Sequence, residues 1–158
     1  MAKILVCYYS RTGHTQKMAE KIAEKVKKEG LDVALKRVEQ VGTDDLLDYD
    51  GLVFGSPTYY GSMAWPVKKL LDESIKNHGQ LKGKVGGAFS SSANIGGGNE
   101  TTILDILNAL LIHGMIVQGD PKGDHYGPVS IGAPDRRALR CCERYAQNLS
   151  TLVKKLFS

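Results

Sequence analysis

VCYYSRTGHTQKMAEKIAEKVKKEG, residues 6–30, holds the switch that decides the fold. The apolar run KILVCYY (3–9) is continuous, as in a strand buried on both faces. It stops at Ser10-Arg11-Thr12-Gly13-His14-Thr15, and helical period then takes over. Met18, Ala19, Ile22, Ala23 and Val26 share one face, with lysines and glutamates on the other. Gly30 suits the helix C-cap. A helix N-terminus offers unpaired N–H groups and about half a positive charge, so the turn is suited to an anion. Ser10, Thr12 and Thr15 add hydroxyl donors, and Gly13 lets the backbone curl toward a ligand. A plain helix cap is the alternative, but three hydroxyls exceed what one cap needs, so a phosphate is the preferred occupant.

Outward from this turn, strand and helix signals alternate. LDVALKRV (31–38) alternates like a less buried or edge strand, and Thr43-Asp44-Asp45 can cap a short helix ending near Asp50. GLVFGSP (51–57) is a buried strand halted by Pro57, and Pro66 suits the first turn of a helix running to about Lys76. KVGGAFSSS (84–92) is a third buried strand, followed by ANIGGGN and an apolar helix over 99–113. MIVQG (115–119) reads as the last strand, 120–135 as irregular, and a final helix begins near Pro134. Such β-α alternation means a parallel sheet with helices on both faces. Ligands then sit beyond the C-terminal strand ends, where strand order reverses, which singles out loops 10–15, 57–62, 90–98 and 119–133.

A chain of 158 residues with 42% apolar and 24% charged residues reads as one domain, 1–158, with a proper core. No apolar run approaches the roughly 18 residues of a membrane span. The start MAKILVCYYS reads as a core strand rather than a signal peptide, so a cytoplasmic location is expected. Cys7, Cys141 and Cys142 make neither a disulfide framework nor a metal cluster, and Cys142 falls on the buried stripe of its helix. The net charge of +4 favours anionic small molecules but is too weak and dispersed for nucleic acid. Spacing excludes other phosphate sites: no GxxxxGK[ST] and no GxGxxG after a strand, and Gly13 stands where a Cys-x5-Arg loop starting at Cys7 needs arginine.

At this point SRTGHT resembles the phosphate loop T/S-x-T-G-x-T of the flavodoxin family. YYSRTGHT, GSPTYYGSM, FSSSANIGGGNETT and HGM, in this order, are similar to WrbA-type NAD(P)H:quinone oxidoreductases. The resemblance implies a flavodoxin-like, doubly wound, five-stranded parallel sheet of order 2-1-3-4-5, with flavin mononucleotide (FMN) as cofactor. Ser10, Arg11, Thr12, Gly13, His14 and Thr15 would bind its phosphate. Pro57, Thr58, Tyr59, Tyr60 and Gly61 would line one edge of the isoalloxazine. Ser91, Ser92, Ala93 and Asn94, with Ile95, Gly96, Gly97 and Gly98, would line the other, and His113 matches a family histidine. The residues themselves leave alternatives. Tyr59 and Tyr60 can stack on a flavin or pack against the helix at Pro66. The glycines permit close backbone approach or make a plain flexible loop. His113 is equally a helix C-terminal histidine favoured by the dipole. His14 and His125 lie on loops assigned to the same rim, and Trp65 either flanks a substrate pocket or covers the core.

Carriers and reductases share this fold, so fold cannot choose between them. Loops 57–62 and 90–98 contain no Asp or Glu, and the chain is net positive. Both features favour an anionic reduced flavin and welcome the phosphates of NAD(P)H. The function inferred is ping-pong hydride transfer from NAD(P)H to a quinone or other small-molecule acceptor. His113, His125 or Tyr60 would assist protonation at most. The resemblance also implies a homo-oligomer, a dimer or tetramer. Two alternatives stay open: a carrier flavodoxin, and a binding module docking through Arg136, Arg137, Arg140 and Arg144.

Overall fold

The computed structural model describes all of residues 1–158. Strand β1 (Lys3–Tyr8) is central, with β2 (Asp32–Arg37) on one side and β3 (Gly51–Tyr59) on the other, both parallel to it. β3 continues to a short antiparallel partner, β4 (Ser62–Met63), and pairs in parallel with β5 (Val85–Ser92). The last strand is split: β6 (Ile116–Val117) pairs with the start of β5 and β7 (Val129–Ile131) with its end. Setting aside β4 and counting β6 with β7 as one strand, the order is the expected 2-1-3-4-5. The segment 120–135, expected to be irregular, contains β7, and Val129 to Ile131 rejoin the sheet opposite Ser90 to Ser92.

Alternation along the strands sorts the core into two layers. Ile4 and Val6 pack under α1 (His14–Lys28) and α4 (Arg136–Phe157) with Met18, Ile22, Val26 and Cys142. Leu5, Cys7 and Phe54 face α2 (Trp65–Glu73) and α3 (Asn99–Ile112) with Leu70, Ile103 and Ile106. Burying each large apolar side chain contributes about 1.5–3 kcal/mol. Two strand glycines make room: a Cβ on Gly55 would meet the Phe89 ring at 2.1 Å, and one on Gly87 would meet the Tyr145 hydroxyl at 1.7 Å. Burial pushes the Cys7 and Cys142 thiols up to about 12, as expected of inert core cysteines. No helix is long and apolar enough to cross a membrane.

Strand order reverses at β1, whose chain neighbour β2 lies on one side and whose next partner β3 lies on the other. The loops leaving β1, β3 and β5 therefore open into one crevice. Trp65 begins α2 with 71% of its surface exposed, so it does not cover the core.

Candidate functional site

The turn between β1 and α1 is shaped by its own residues. Ser10 is buried, and its Oγ accepts from the Gly13 N–H at 3.1 Å. Gly13 is the N-cap with φ +95°, a left-handed conformation that costs other residues about 1–2 kcal/mol. The N–H groups of Arg11, Thr12, His14, Thr15 and Gln16 have no protein acceptor. Thr15 Oγ1 lies 3.0 Å from Ser91 Oγ, tying the first turn of α1 to the end of β5. The Ser10 side chain thus ties the turn to Gly13 rather than capping α1. Yet its own O–H stays available, as does that of Thr12.

Across the crevice, Thr58 to Met63 form a hairpin with a two-residue turn. Tyr60 and Gly61 have φ of 50° and 79°, the mirror-image turn that matches strand twist. Its tip rests on the N-terminus of α3. A Cβ on Gly98 (φ +105°) would stand 2.8 Å from Gly61 Cα, and Thr101 Oγ1 donates to Gly61 O at 2.7 Å. Below it runs a hydroxyl chain: Ser90 Oγ and Thr58 Oγ1 are 3.0 Å apart, and Thr58 Oγ1 and Thr102 Oγ1 3.1 Å. Thr102 then donates to Gly98 O at 2.8 Å. Ser90 and Thr102 are fully buried, so hairpin, sheet and helix are locked before any ligand arrives.

These elements enclose an open cleft of about 370 Å³. It is lined by Ser10, Arg11, Thr12, His14 and Thr15 from the turn after β1, by Pro57, Thr58 and Tyr59 at the end of β3, and by Ser91, Ser92 and Ala93 at the end of the neighbouring β5. Gly132, just past β7, completes the lining and donates its N–H to Ser92 O at 2.7 Å. Tyr59 meets Tyr9 edge-on, with centroids 6.3 Å apart, and its hydroxyl is raised above the usual tyrosine range, first by partial burial and then by Tyr9. Tyr60, Gly61 and the segment Asn94 to Gly98 stand beside the cleft rather than lining it. Gly98 has to lack a side chain for Gly61 to come this close, whereas Ile95 is 87% exposed at the rim.

Two sequence-derived candidates lie elsewhere. His113 follows α3, whose N-terminus is at the site, so the histidine sits at the opposite end of the helix. It is buried, with Nε2 2.8 Å from Ser74 Oγ and its ring beside His78. Burial, with a smaller contribution from His78, lowers its pKa. His125 belongs to the segment between β6 and β7, and its Nδ1 donates to Asp120 O at 2.7 Å within that segment. Neither histidine reaches the cleft. Two lining or locking residues had little sequence signal: Gly132, in a Pro/Gly-rich stretch, and Thr102, which resembles any helix hydroxyl. The arginine face of α4 is also partly occupied: Arg137 pairs with Asp124 and Arg144 with Asp120.

A helix N-terminus with unpaired N–H groups, flanking hydroxyls and a glycine held at positive φ fits a phosphate. Comparison with known proteins identifies the family. A family model described as Flavodoxin matches residues 6–102. The chain is 40% identical over 162 residues to a protein of Aquifex aeolicus (strain VF5) named flavodoxin, covering 97% of this chain and 88% of that one. It is 32% identical over 190 residues to an NAD(P)H dehydrogenase (quinone) of Archaeoglobus fulgidus, covering 99% and 100%. Among solved structures, a flavodoxin, WrbA-like protein from Agrobacterium tumefaciens superposes with a TM-score of 0.85 at 25% identity, covering 99% of each chain. The chain therefore belongs to the flavodoxin family, whose cofactor is FMN.

Proposed function

We propose that the protein is an FMN-dependent oxidoreductase that passes two electrons from NAD(P)H to a quinone, binding the two in turn at one open face. The observation that carries this reading is the charge of the cleft. No residue lining it is acidic, Arg11 and His14 stand within it, and the first turn of α1 has no Asp or Glu. A carboxylate near the ring would oppose negative charge on a reduced flavin; these groups favour it, and they attract the phosphates of a nicotinamide nucleotide.

Bound FMN would supply hydride acceptance and the return of two electrons to the acceptor. The chain's part is to hold and orient. The free N–H groups of Arg11, Thr12, His14, Thr15 and Gln16 and the hydroxyls of Ser10 and Thr12 would grip the phosphate. Tyr59 would cover part of the ring. The locked hairpin would fix the edge made by Pro57 and Thr58. Of the side chains named as proton donors, Tyr60 stands at this rim, fully exposed, and solvent reaches the same place.

The test is anaerobic: load the protein with FMN, add one equivalent of NADH or NADPH, and follow the oxidised flavin band. Rapid, complete bleaching, reversed by a quinone, is the expected result. Bound flavin that ignores both nucleotides would overturn the proposal. It would also favour the second reading, a carrier that exchanges electrons singly, which the 40% identity to the Aquifex flavodoxin supports.

A further inference from the structure

We infer that Arg37 is a positioning residue that presets the phosphate loop and so sets the preference for phosphorylated over unphosphorylated flavin. The inference rests on the loop 10–15 being the phosphate site. Arg37 is the last residue of β2 and pairs in register with Tyr8, two residues before the loop. Its guanidinium lies over the Tyr8 ring at 5.7 Å, and Nη2 donates to Ser10 O at 2.8 Å. Glu39 holds the outer edge, with Oε2 3.4 Å from Nε. The backbone beneath is fixed too, since the Arg37 N–H donates to Gln40 Oε1 at 3.1 Å.

In a trans peptide the C=O and the following N–H point in opposite directions. With Ser10 O drawn toward β2, the Arg11 N–H is turned the other way, toward the cleft that Ser10 and Arg11 line. That N–H has no protein acceptor. Arg37 therefore aims the first donor of the loop without occupying the anion site, and its charge is directed at a carbonyl and at Glu39. An anion meeting a loop already held this way pays no ordering cost for that peptide. Riboflavin, which lacks the phosphate, has no use for it.

The experiment compares dissociation constants for FMN and riboflavin in the wild type, Arg37→Met and Arg37→Lys. Methionine keeps an apolar stem on Tyr8 and removes the donor; lysine keeps a donor. The guanidinium side chain is 37% exposed, so both variants should fold, which melting curves check. The wild type should prefer FMN. In Arg37→Met that preference should fall about tenfold, the scale of one charged hydrogen bond, with riboflavin binding unchanged, and Arg37→Lys should recover most of it. Equal weakening toward both flavins, or an unchanged preference in Arg37→Met, would overturn the inference. A wild type that binds both flavins equally would instead remove the phosphate assignment beneath it.

Discussion

The loop 10–15 and the segment 118–128 both follow strands and both carry polar residues, yet they use them in opposite ways. In 118–128 the strong groups are satisfied within the fold. Asp120 receives Arg144 Nε at 2.6 Å, Asn148 Nδ2 at 3.1 Å and the Lys122 N–H at 2.8 Å. Asp124 receives Arg137 Nη1 at 2.9 Å and the Val129 N–H at 3.0 Å. His125 donates to Asp120 O. In 10–15 the donors of the helix start are left without acceptors, although Arg37, Ser91 and the internal Ser10–Gly13 bond hold the loop in place. A segment that satisfies itself is structural, whereas one fixed from outside with its donors free is prepared for a ligand.

Adding negative charge to each segment breaks the comparison most directly. Thr12→Asp places a carboxylate where the phosphate would sit, and FMN affinity is expected to fall on the order of 100-fold. Lys122→Asp, twice that charge change on the other segment, should leave FMN affinity within about twofold. Both are read by fluorescence titration of FMN. Equal losses would mean that net charge rather than the loop attracts the cofactor.

Gly98→Ala comes next. The added Cβ meets the Gly61 backbone at 2.8 Å, at a φ of +105°. Destabilisation of about 2–3 kcal/mol is expected, seen as a lower melting temperature, together with weaker flavin binding as the hairpin is pushed off α3. Gly132→Ala has open space at its Cβ, so its cost comes only from a φ of +66°, about 1 kcal/mol.

The same contrast explains what could be read from the sequence. The turn after β1 was legible because an unbroken apolar run, three hydroxyls with a glycine, and helix period meet within a few residues. The edge position of β2 showed in its alternation, and the buried strands in their unbroken apolar runs. The return of β7 was not legible: three residues with Ser130 at the centre, between Pro128 and Gly132, carry no period. The hydroxyl chain through Thr102 joins residues far apart in sequence, so no local pattern announces it. His113 could have been placed from direction alone. A helix that leaves the C-terminal end of a parallel strand returns the chain to the other end, and a residue closing that helix is far from the crevice.

Asp120→Asn tests the self-satisfied segment. Hydrogen bonds from Arg144, then the Lys122 N–H and Asn148, hold the Asp120 carboxyl below its ordinary pKa. The unfolded chain therefore binds the proton more readily. The stabilisation is present above the unfolded value, near 3.9, and is lost as pH falls through the folded value. The variant should be less stable by about 1 kcal/mol at neutral pH, since the arginine side chain is 46% exposed, and should converge with the wild type as pH falls through the folded value. FMN affinity should not change. A drop in affinity would mean that the segment reaches the cleft after all.

The smallest effect is expected at His113, and its value lies in separating the two ends of α3. Burial keeps this imidazole below its ordinary pKa, so the folded protein holds it neutral where the unfolded chain would protonate it. Below about pH 6.5 the unfolded state binds the extra proton, and stability declines until the folded value is passed. His113→Gln can still donate to Ser74 but does not titrate, so the fall in melting temperature between pH 7.5 and pH 5.5 should be shallower than in the wild type, by roughly a few degrees at most. Flavin binding and its reduction by NAD(P)H should be unchanged, because α3 is 14 residues long and puts about 20 Å between its ends. A change in reduction rate with no change in the pH slope would return His113 to the site, by a route such as a second subunit that brings its own α3 end to the cleft.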